Sequence, residues 1–304
     1  MNVPYIDHDA VAGVLRMEDL IPRMREAMVD YSAGRVQQPP RRIMEVSEHG
    51  GYFGGMPAVG PAAMGAKLVA FYPRNADRGL ETHMALIALL DPATGRPLVT
   101  MDGGLITKMR TAAVTAAFID AVAPPDVSSL AILGAGEQAA SHIEALRRVR
   151  AFNDIRIWNR TPGRAAALAG VVGGRATSAE PAVRDADVVV TATASSEPVL
   201  RGEWIRPGAR VASVGWSGAD GSELDAATMA NTVIVDSREG ALLESGNVRR
   251  WGVDIHAELG EILGGSANID LERTIVFESI GMACQDLAAA ALVMDELHFR
   301  EPAL

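Results

Sequence analysis

The segment from Leu130 to Ala139 constrains the fold of this chain more than any other feature. An apolar run leads into the pattern Gly134-x-Gly136-x-x-Ala139, and a helical apolar pattern follows it. A strand, a glycine-rich turn and a helix in this order open a dinucleotide-binding unit, because the glycines let a pyrophosphate approach the backbone at the helix N-terminus. The residues predicted to bind the dinucleotide here are Gly134, Ala135, Gly136, Glu137 and Gln138.

After Pro124-Pro125 the chain alternates between short apolar runs and helical patterns. Such alternation is typical of an α/β fold, and it predicts a doubly wound parallel (Rossmann) sheet. The predicted strands are Ser129–Leu133, Ile155–Trp158, Asp187–Ala192, Arg210–Val214, Thr232–Val235 and Thr274–Phe277.

The residues before this region follow a different pattern. A helix is predicted from Met17 to Ala33, followed by strand-like segments and by a second helix that Thr107 is expected to cap. A last helix, from Met282 to about His298, is expected to pack back on this region. We therefore predict two domains: an α+β substrate-binding and dimerisation domain formed by residues 1–122 and 280–304, and a dinucleotide-binding domain formed by residues 123–279.

Charge and cysteine content narrow the class of partner. The formal net charge of −10 argues against nucleic acid or an anionic membrane as the main partner. No signal peptide is recognisable at the N-terminus, and the one cysteine, Cys284, is expected to be a small buried residue in a reducing compartment. We therefore predict a cytoplasmic location, and the spacing of the histidines predicts no metal site.

The end of the second predicted strand indicates which dinucleotide is used. NAD-preferring folds usually carry an acidic residue there, whereas this chain has Asn159, Arg160 and Thr161. Arg160 and Thr161 suit a 2′-phosphate through charge-assisted hydrogen bonds, which predicts a preference for NADP(H) over NAD(H). The alternative is that Arg160 is a solvated residue at a helix start and that Asn159 serves NAD through its amide.

Several motifs occur in a fixed order across nearly the whole chain. Those in the N-terminal half are Gln38-Pro39-Pro40-Arg41, Gly55-Met56-Pro57, Gly65-Ala66-Lys67-Leu68-Val69 and Ile106-Thr107-x-x-Arg110-Thr111-Ala112-Ala113. Those in the C-terminal half are Gly134-Ala135-Gly136-x-Gln138, Glu223-Leu224-Asp225 and Phe277-x-Ser279-x-Gly281-Met282-Ala283-x-x-Asp286. In these motifs the chain resembles the ornithine cyclodeaminase/μ-crystallin family.

The resemblance implies a homodimer assembled through the N-terminal sheet domain, with an active site in the cleft between the two domains. It also implies that the substrate is a small α-amino or α-imino acid and that the cofactor is a nicotinamide dinucleotide. The family positions that bind the substrate carboxylate match Arg41 and Arg110, and the lysine that touches the substrate near the reacting carbon matches Lys67. Arg42 remains an alternative to Arg41 because it is adjacent.

The chemistry of these residues agrees with the resemblance. A lysine inside an apolar strand, such as Lys67, is costly to bury unless it is paired or functional. Planar guanidinium groups suit the bidentate capture of a carboxylate. The remaining predicted site residues are Met56 for the substrate, and Arg110, Thr111, Thr193, Ser279 and Gly281 for the cofactor. Asp102 and Asp286 also match family positions, and capping or dimer contacts are their expected roles.

One position departs from the ornithine cyclodeaminases. In those enzymes an aspartate six residues before the glutamate of the Glu-Leu segment is the acid/base of deamination, and the same count from Glu223 gives Ser217 here. Serine is a poor general base at neutral pH, and the μ-crystallin-like ketimine reductases resemble this chain in having serine there. We expect Ser217 to assist substrate binding, while Asp220, three residues later, remains an alternative acid.

These observations predict the NAD(P)H-dependent reduction of a small α-imino acid or ketimine, or the reversible oxidative deamination of an amino acid. Hydride comes from the cofactor, so the protein mainly has to orient the reactants and balance charge. Two alternatives remain: a lyase similar to ornithine cyclodeaminase that uses bound NAD, and a protein that binds NADPH and a small carboxylate without turnover. Ammonia release without net cofactor consumption distinguishes the lyase.

Overall fold

The structure is a computed structural model, and it describes residues 3–215, 218 and 220–298. The chain forms two compact units, Met1–Arg110 with Met282–Leu304 and Thr111–Gly281. The predicted domain limits, 1–122 with 280–304 and 123–279, stay a prediction. Within the described ranges, no helix combines the length and the apolar character that crossing a membrane requires.

The first unit begins with two short helices and a sheet. In chain order it contains β1 (Tyr5–Ile6), α1 (His8–Val14), α2 (Met17–Ser32), β2 (Arg42–Val46), β3 (Gly51–Val59), β4 (Met64–Phe71), β5 (His83–Leu90), β6 (Pro97–Asp102) and the beginning of α3 (Gly104–Val122). Helix α2 has the predicted amphipathic pattern, because Leu20, Met24 and Met28 recur on one buried face.

The strands of the first unit form one sheet in the order β1-β6-β5-β4-β3-β2, antiparallel except for β1 and β6. Met56, Lys67 and Ile87 stand side by side in register on β3, β4 and β5, and all three are buried. The next residue on β4, Leu68, is exposed, as is Leu86 on β5. Because side chains alternate between the faces of a sheet, Lys67 lies on the inner face and Leu68 on the outer face.

Helix α3 begins three residues before the predicted cap. The Asp102 carboxylate accepts hydrogen bonds from the backbone N–H groups of Gly104 and Leu105, at 3.1 and 3.4 Å. The Thr107 hydroxyl instead donates to the Gly103 carbonyl. The prediction that Thr107 caps this helix was therefore wrong, because Asp102 at the end of β6 reaches the free N–H groups first. The capping role expected for Asp102 is confirmed.

The second unit continues from α3 with alternating strands and helices. In chain order these are β7 (Ser129–Leu133), α4 (Glu137–Val149), β8 (Asp154–Trp158), α5 (Pro162–Val172), β9 (Arg175–Ala176), α6 (Ala179–Val183), β10 (Val188–Thr191), β11 (Arg210–Ser213), α7 (Ala226–Met229), β12 (Thr232–Val235), α8 (Arg238–Glu244), α9 (Gly246–Trp251), β13 (Ile255–Glu258), α10 (Leu259–Leu263) and β14 (Ile275–Glu278). The chain then returns to the first unit with α11 (Ala283–Glu296).

The strands of the second unit form one parallel sheet in the order β13-β12-β14-β11-β10-β7-β8-β9. From β7 the chain first builds outward through β8 and β9, and then returns to place β10 on the other side of β7. Ligands of open α/β sheets bind beyond the carboxyl ends of the strands at such a reversal. The prediction of a doubly wound parallel sheet is confirmed, and β7 is buried along its whole length, as expected for a central parallel strand.

The turn between β7 and α4 has the geometry that its glycines predict. Gly134 has a φ of 130°, and a Cβ atom there would lie 2.4 Å from the carbonyl oxygen of Ala192. Gly136 precedes the first turn of α4, and open space surrounds the position that its Cβ would take. Ala139 is fully buried, which lets the helix pack closely. Glycine is therefore required at 134 by the fold, and at 136 the backbone is open to a ligand.

Helix α11 is almost entirely buried in the first unit. It packs against α2 and against β3, β4 and β5. Alanine residues make up much of its buried surface, so the helix approaches the sheet closely. Cys284 is buried, which confirms the expectation of a small buried residue.

Candidate active site

A buried group of charged side chains lies in the first unit. Asp286, in the first turn of α11, has its Oδ2 atom 2.6 Å from Lys67 Nζ and its Oδ1 atom 2.8 Å from Arg110 Nε. No side chain of the three is more than 5% exposed. We call Lys67, Arg110 and Asp286 the ion cluster. Buried charges are costly unless opposite charges compensate them, so the capping or dimer role expected for Asp286 was wrong: its carboxylate holds two cations.

The environment of Lys67 tunes its protonation. Burial lowers the pKa of the Lys67 ammonium to about 8, although the adjacent Asp286 carboxylate raises it. The positive charges of Arg110 and Arg41 lower this pKa further. Lys67 is therefore poised to hold or release a proton near neutral pH, which is unusual for a lysine and typical of a functional site.

Arg110 is oriented by the start of α11. Its Nη1 atom donates to Gln285 Oε1 at 2.9 Å, and the same oxygen accepts from the Met282 backbone N–H. The Nε–H group donates to Asp286. The third nitrogen, Nη2, makes no hydrogen bond to any residue of the described ranges. A fixed guanidinium with one unused edge suits the capture of a carboxylate.

Of the two adjacent arginines at the start of β2, Arg41 is the better placed. Its side chain is half-buried, and its charge acts on Lys67. Arg42 lies on the edge strand β2 and is exposed. These positions support Arg41 rather than Arg42 as the second arginine of the site.

His83, at the start of β5, is a residue whose role the sequence did not indicate. Burial lowers the pKa of its imidazole to about 4, and the charges of Lys67, Arg110 and Lys108 lower it further. His83 is therefore neutral at physiological pH, and it lies in the positive field of these cations. Within the described residues no group of three or more histidine, cysteine or acidic side chains has the arrangement of a metal site.

The predicted dinucleotide turn presents a buried oxygen that lacks a donor. Among the described residues, the Oε1 atom of Gln138 is buried without a hydrogen-bond partner. The backbone oxygen of Gln138 is bound by His142 Nδ1 at 2.7 Å, and His142 Nε2 contacts Thr115 Oγ1 at 3.1 Å. Buried polar atoms are normally satisfied, so this oxygen is an exception at the turn. The backbone at Gly136 is open, as the approach of a ligand would require.

The three residues predicted to choose the cofactor follow β8. The Asn159 side chain donates to the Thr161 carbonyl at 3.1 Å. Arg160 is exposed, and Thr161 precedes the first turn of α5. No acidic residue occupies this strand end, so the position where NAD-preferring folds bind the ribose hydroxyls is uncharged or basic here.

The predicted residues after β10 and β14 are held by two buried carboxylates. The backbone N–H and the hydroxyl of Thr193 both donate to Glu223, at 3.2 and 2.7 Å. The Ser279 hydroxyl and the Gly281 backbone N–H donate to Asp236, at 3.1 and 2.8 Å. In the sequence, Glu223 served only to locate Ser217, and Asp236 was not among the predicted residues. Asp236 directly follows the buried apolar run Val233-Ile234-Val235, which was the available sign for it.

Of the three remaining predicted residues, the structure describes two. Thr111 is buried in α3. Ser217 lies outside the described residues. Asp220, its possible substitute, is exposed.

The profile of the ornithine cyclodeaminase/mu-crystallin family matches residues 6–301. The ketimine reductase mu-crystallin of Mus musculus is 44% identical over 301 residues, which are 96% of each protein. Among solved structures, the Δ1-pyrroline-2-carboxylate reductase of Thermococcus litoralis in complex with NADH and L-proline is 32% identical, covers 97% of this chain and 98% of that chain, and has a TM-score of 0.92. An archaeal alanine dehydrogenase dimer with bound NAD is 30% identical, covers 98% of this chain and 97% of that chain, and has a TM-score of 0.93.

Proposed function

The chain belongs to the ornithine cyclodeaminase/mu-crystallin family, and we propose that its substrate is a small cyclic α-imino acid that it reduces to the amino acid. It is an NAD(P)-dependent oxidoreductase that acts on C=N bonds. The observation that carries the proposal is the ion cluster, in which one buried carboxylate holds a lysine of lowered pKa and an arginine. Cationic groups of this kind suit a substrate that has a carboxylate next to an imine.

Each residue of the ion cluster has a separate task in this proposal. The unused edge of Arg110 binds the substrate carboxylate, assisted by Arg41, and Met56 lies next to Lys67 as an apolar wall. The Lys67 ammonium gives the imine nitrogen its proton, and a reduced nicotinamide, when bound, would provide the hydride that the carbon needs. Asp286 fixes the position of Lys67 and keeps it protonated near neutral pH. Hydride and proton together convert C=N to CH–NH, so the reaction balances.

The dinucleotide turn and the strand ends of the second unit would hold the cofactor. Gly134, Ala135, Gly136, Glu137 and Gln138 would contact the pyrophosphate and ribose groups. We also propose that NADP(H) is preferred over NAD(H), since Arg160 is exposed at the end of β8 without a neighbouring acid. The two solved relatives contain NADH and NAD, so this preference would be a property of this chain's own strand end.

We further propose a homodimer that forms through the outer face of the first unit's sheet. Large apolar side chains on this face are exposed, and β-sheet register places them next to one another. They are Met44, Phe53, Leu68, Met84 and Leu86, each between 38% and 56% exposed. Contiguous apolar surface of this kind marks an interface, and a second copy supplies a matching face by symmetry. A cytoplasmic location stays a prediction from the cysteine content.

A direct assay tests the proposed reaction. The purified protein is mixed with NADPH or NADH and a set of imino acids: Δ1-pyrroline-2-carboxylate, Δ1-piperideine-2-carboxylate, and pyruvate with ammonia or methylamine. Loss of the reduced-nicotinamide absorbance with a cyclic imino acid is the expected result. No consumption with any of them contradicts the proposal. Ammonia release from ornithine without net cofactor consumption would then indicate a lyase, and tight cofactor binding without turnover would indicate a binding protein.

A further inference from the structure

Glu223 is a buried acid of the second unit that the proposed reaction does not use. It is 1% exposed, and it follows the loop after β11. Its Oε1 atom accepts hydrogen bonds from Thr191 Oγ1, Ser213 Oγ and the Gly215 backbone N–H, at 2.7, 3.0 and 3.1 Å. Its Oε2 atom accepts from the hydroxyl and the backbone N–H of Thr193. Five donors therefore converge on one carboxylate.

These donors come from the carboxyl ends of two neighbouring strands. Thr191 is the last residue of β10, and Thr193 follows that strand. Ser213 is the last residue of β11, and Gly215 follows it. The backbones approach so closely there that a Cβ atom on Gly215 would lie 2.2 Å from the Thr193 carbonyl oxygen and 2.6 Å from the Glu223 carboxylate. Glu223 thus joins the two strand ends beyond the ladder hydrogen bond from the Val214 N–H to the Thr191 carbonyl oxygen.

The carboxyl edge of β10 and β11 is where the nicotinamide end of a dinucleotide is expected in a sheet with this strand order. We propose that Glu223 is a positioning residue for the cofactor: as a buried hydrogen-bond acceptor, it fixes Thr193 and Gly215 at the edge that the nicotinamide meets. This inference rests on the proposed function, because it assumes that a nicotinamide dinucleotide binds there.

The backbone N–H donors of Thr193 and Gly215 require an acceptor oxygen at both ends of the Glu223 carboxyl group. These N–H groups cannot reverse into acceptors, and an ionised carboxylate offers only acceptor sites. A glutamine in this place would turn an NH₂ group toward at least one of these N–H donors. The burial of Glu223 raises its pKa, and the hydroxyl and N–H donors of Thr193, Thr191 and Ser213 oppose that rise.

Glu278, at the end of β14, provides a matched control. It is also buried, but its partners are side chains: the Ser245 hydroxyl, at 2.5 Å from Oε1, the Asn247 amide, at 2.9 Å from Oε2, and the Ser213 hydroxyl. A hydroxyl can turn to accept, so a glutamine at 278 donates to Ser245 and accepts from Asn247. The same substitution should therefore be tolerated at 278 and not at 223.

The experiment compares Glu223→Gln and Glu278→Gln with the wild-type protein. Dissociation constants for NADPH and NADH are measured from nicotinamide fluorescence. KM and kcat are determined with the imino acid that the assay described above identifies. We expect Glu223→Gln to weaken cofactor binding by about tenfold or more and to raise the cofactor KM more than it lowers kcat, because buried donors lose their acceptor. Glu278→Gln should stay within about twofold of wild type. Hydrogen exchange at the Thr193 and Gly215 amides should accelerate in Glu223→Gln alone.

Equal effects of the two variants, or unchanged cofactor binding in Glu223→Gln, would overturn the inference. If Glu223→Gln does not fold, Thr191→Val replaces it. Thr191 is fully buried, so it cannot contact the cofactor directly, and its hydroxyl donates to Glu223 at 2.7 Å. We expect the loss of this hydroxyl to weaken binding about threefold through Glu223. Unchanged binding in Thr191→Val would then count against the inference. If the wild-type protein binds neither NADPH nor NADH, the proposed function fails instead.

Discussion

Replacing Asp286 by asparagine should move the alkaline limit of catalysis. In the wild-type protein, a proton held by Lys67 is needed for reduction, so kcat/KM should fall as the pH rises through about 8, the pKa of Lys67. The Asp286 carboxylate, with Oδ2 2.6 Å from Nζ, raises that pKa. An asparagine keeps the shape of the side chain but removes this negative charge, so Lys67 should lose its proton at a lower pH.

The size of this effect follows from the burial of the pair. Removing one partner of a buried ion pair costs about 3–5 kcal/mol, and one pKa unit corresponds to about 1.4 kcal/mol. The midpoint of the alkaline limb should therefore move down by about two pH units or more. When Lys67 releases its proton, the unpaired buried charge disappears. The free energy of unfolding should therefore fall by less than about 3–5 kcal/mol at neutral pH. Arg110 keeps its charge, and the stability loss should therefore remain measurable as a lower Tm.

The assay is the pH dependence of kcat/KM with a reducible imino acid, since this quantity reports the ionisation of the free enzyme. Asp126→Asn, at an exposed position, is the matched control and should leave the profile unchanged. Lys67→Arg gives a second test, because a guanidinium keeps the positive charge but does not release its proton near neutral pH, and kcat should therefore fall strongly. An unchanged limb in folded Asp286→Asn would refute the proton-holding role of Lys67.

Three other substitutions test separate parts of the proposal. Arg160→Asp should lower the ratio of kcat/KM with NADPH to that with NADH by about tenfold or more, because an acid repels a 2′-phosphate, and an unchanged ratio would contradict the NADP(H) preference. Leu68→Lys, on the outer face of the sheet, should give a monomer in light scattering after size exclusion, whereas Val171→Lys, at an 84% exposed apolar residue of the second unit, should not. Gly134→Ala should cost about 2 kcal/mol or more of stability, measured by denaturant unfolding, since φ is 130° and the new Cβ would lie 2.4 Å from the Ala192 carbonyl oxygen. An alanine variant with wild-type stability would show that this turn relaxes.

The parts of the fold that depend on local patterns could be predicted from the sequence. The predicted strands Ser129–Leu133 and Thr232–Val235 have the same limits in the structure, and the other four differ by one residue at one or both ends. Buried parallel strands are continuous apolar runs, so their ends are marked by the first polar or turn residue. The helix start at Gly104 was misplaced because its cap, Asp102, lies at the end of a strand, where no helical pattern has yet begun.

The partners within the candidate site could not be predicted in the same way. Lys67 was singled out because a lysine in an apolar strand needs compensation, but nothing near it in the chain supplies an opposite charge. Its partner, Asp286, comes from the last helix, and the Arg110 pair spans 176 residues. Contacts between such distant segments depend on how the elements pack, which periodicity and spacing do not encode.

The chain nevertheless carried one indication of this pairing. A buried cation requires a buried anion, and such an anion has to lie on an element that is itself apolar. Asp286 is the one acid between Ala283 and Val293, a stretch in which every residue is buried. Glu223 follows the same rule, since Ser222 and Leu224 on either side are fully buried. An acid inside a predominantly apolar element should therefore be considered together with any cation or donor group that lacks a local partner. Applied to this sequence, that criterion makes Asp286 a candidate partner of Lys67.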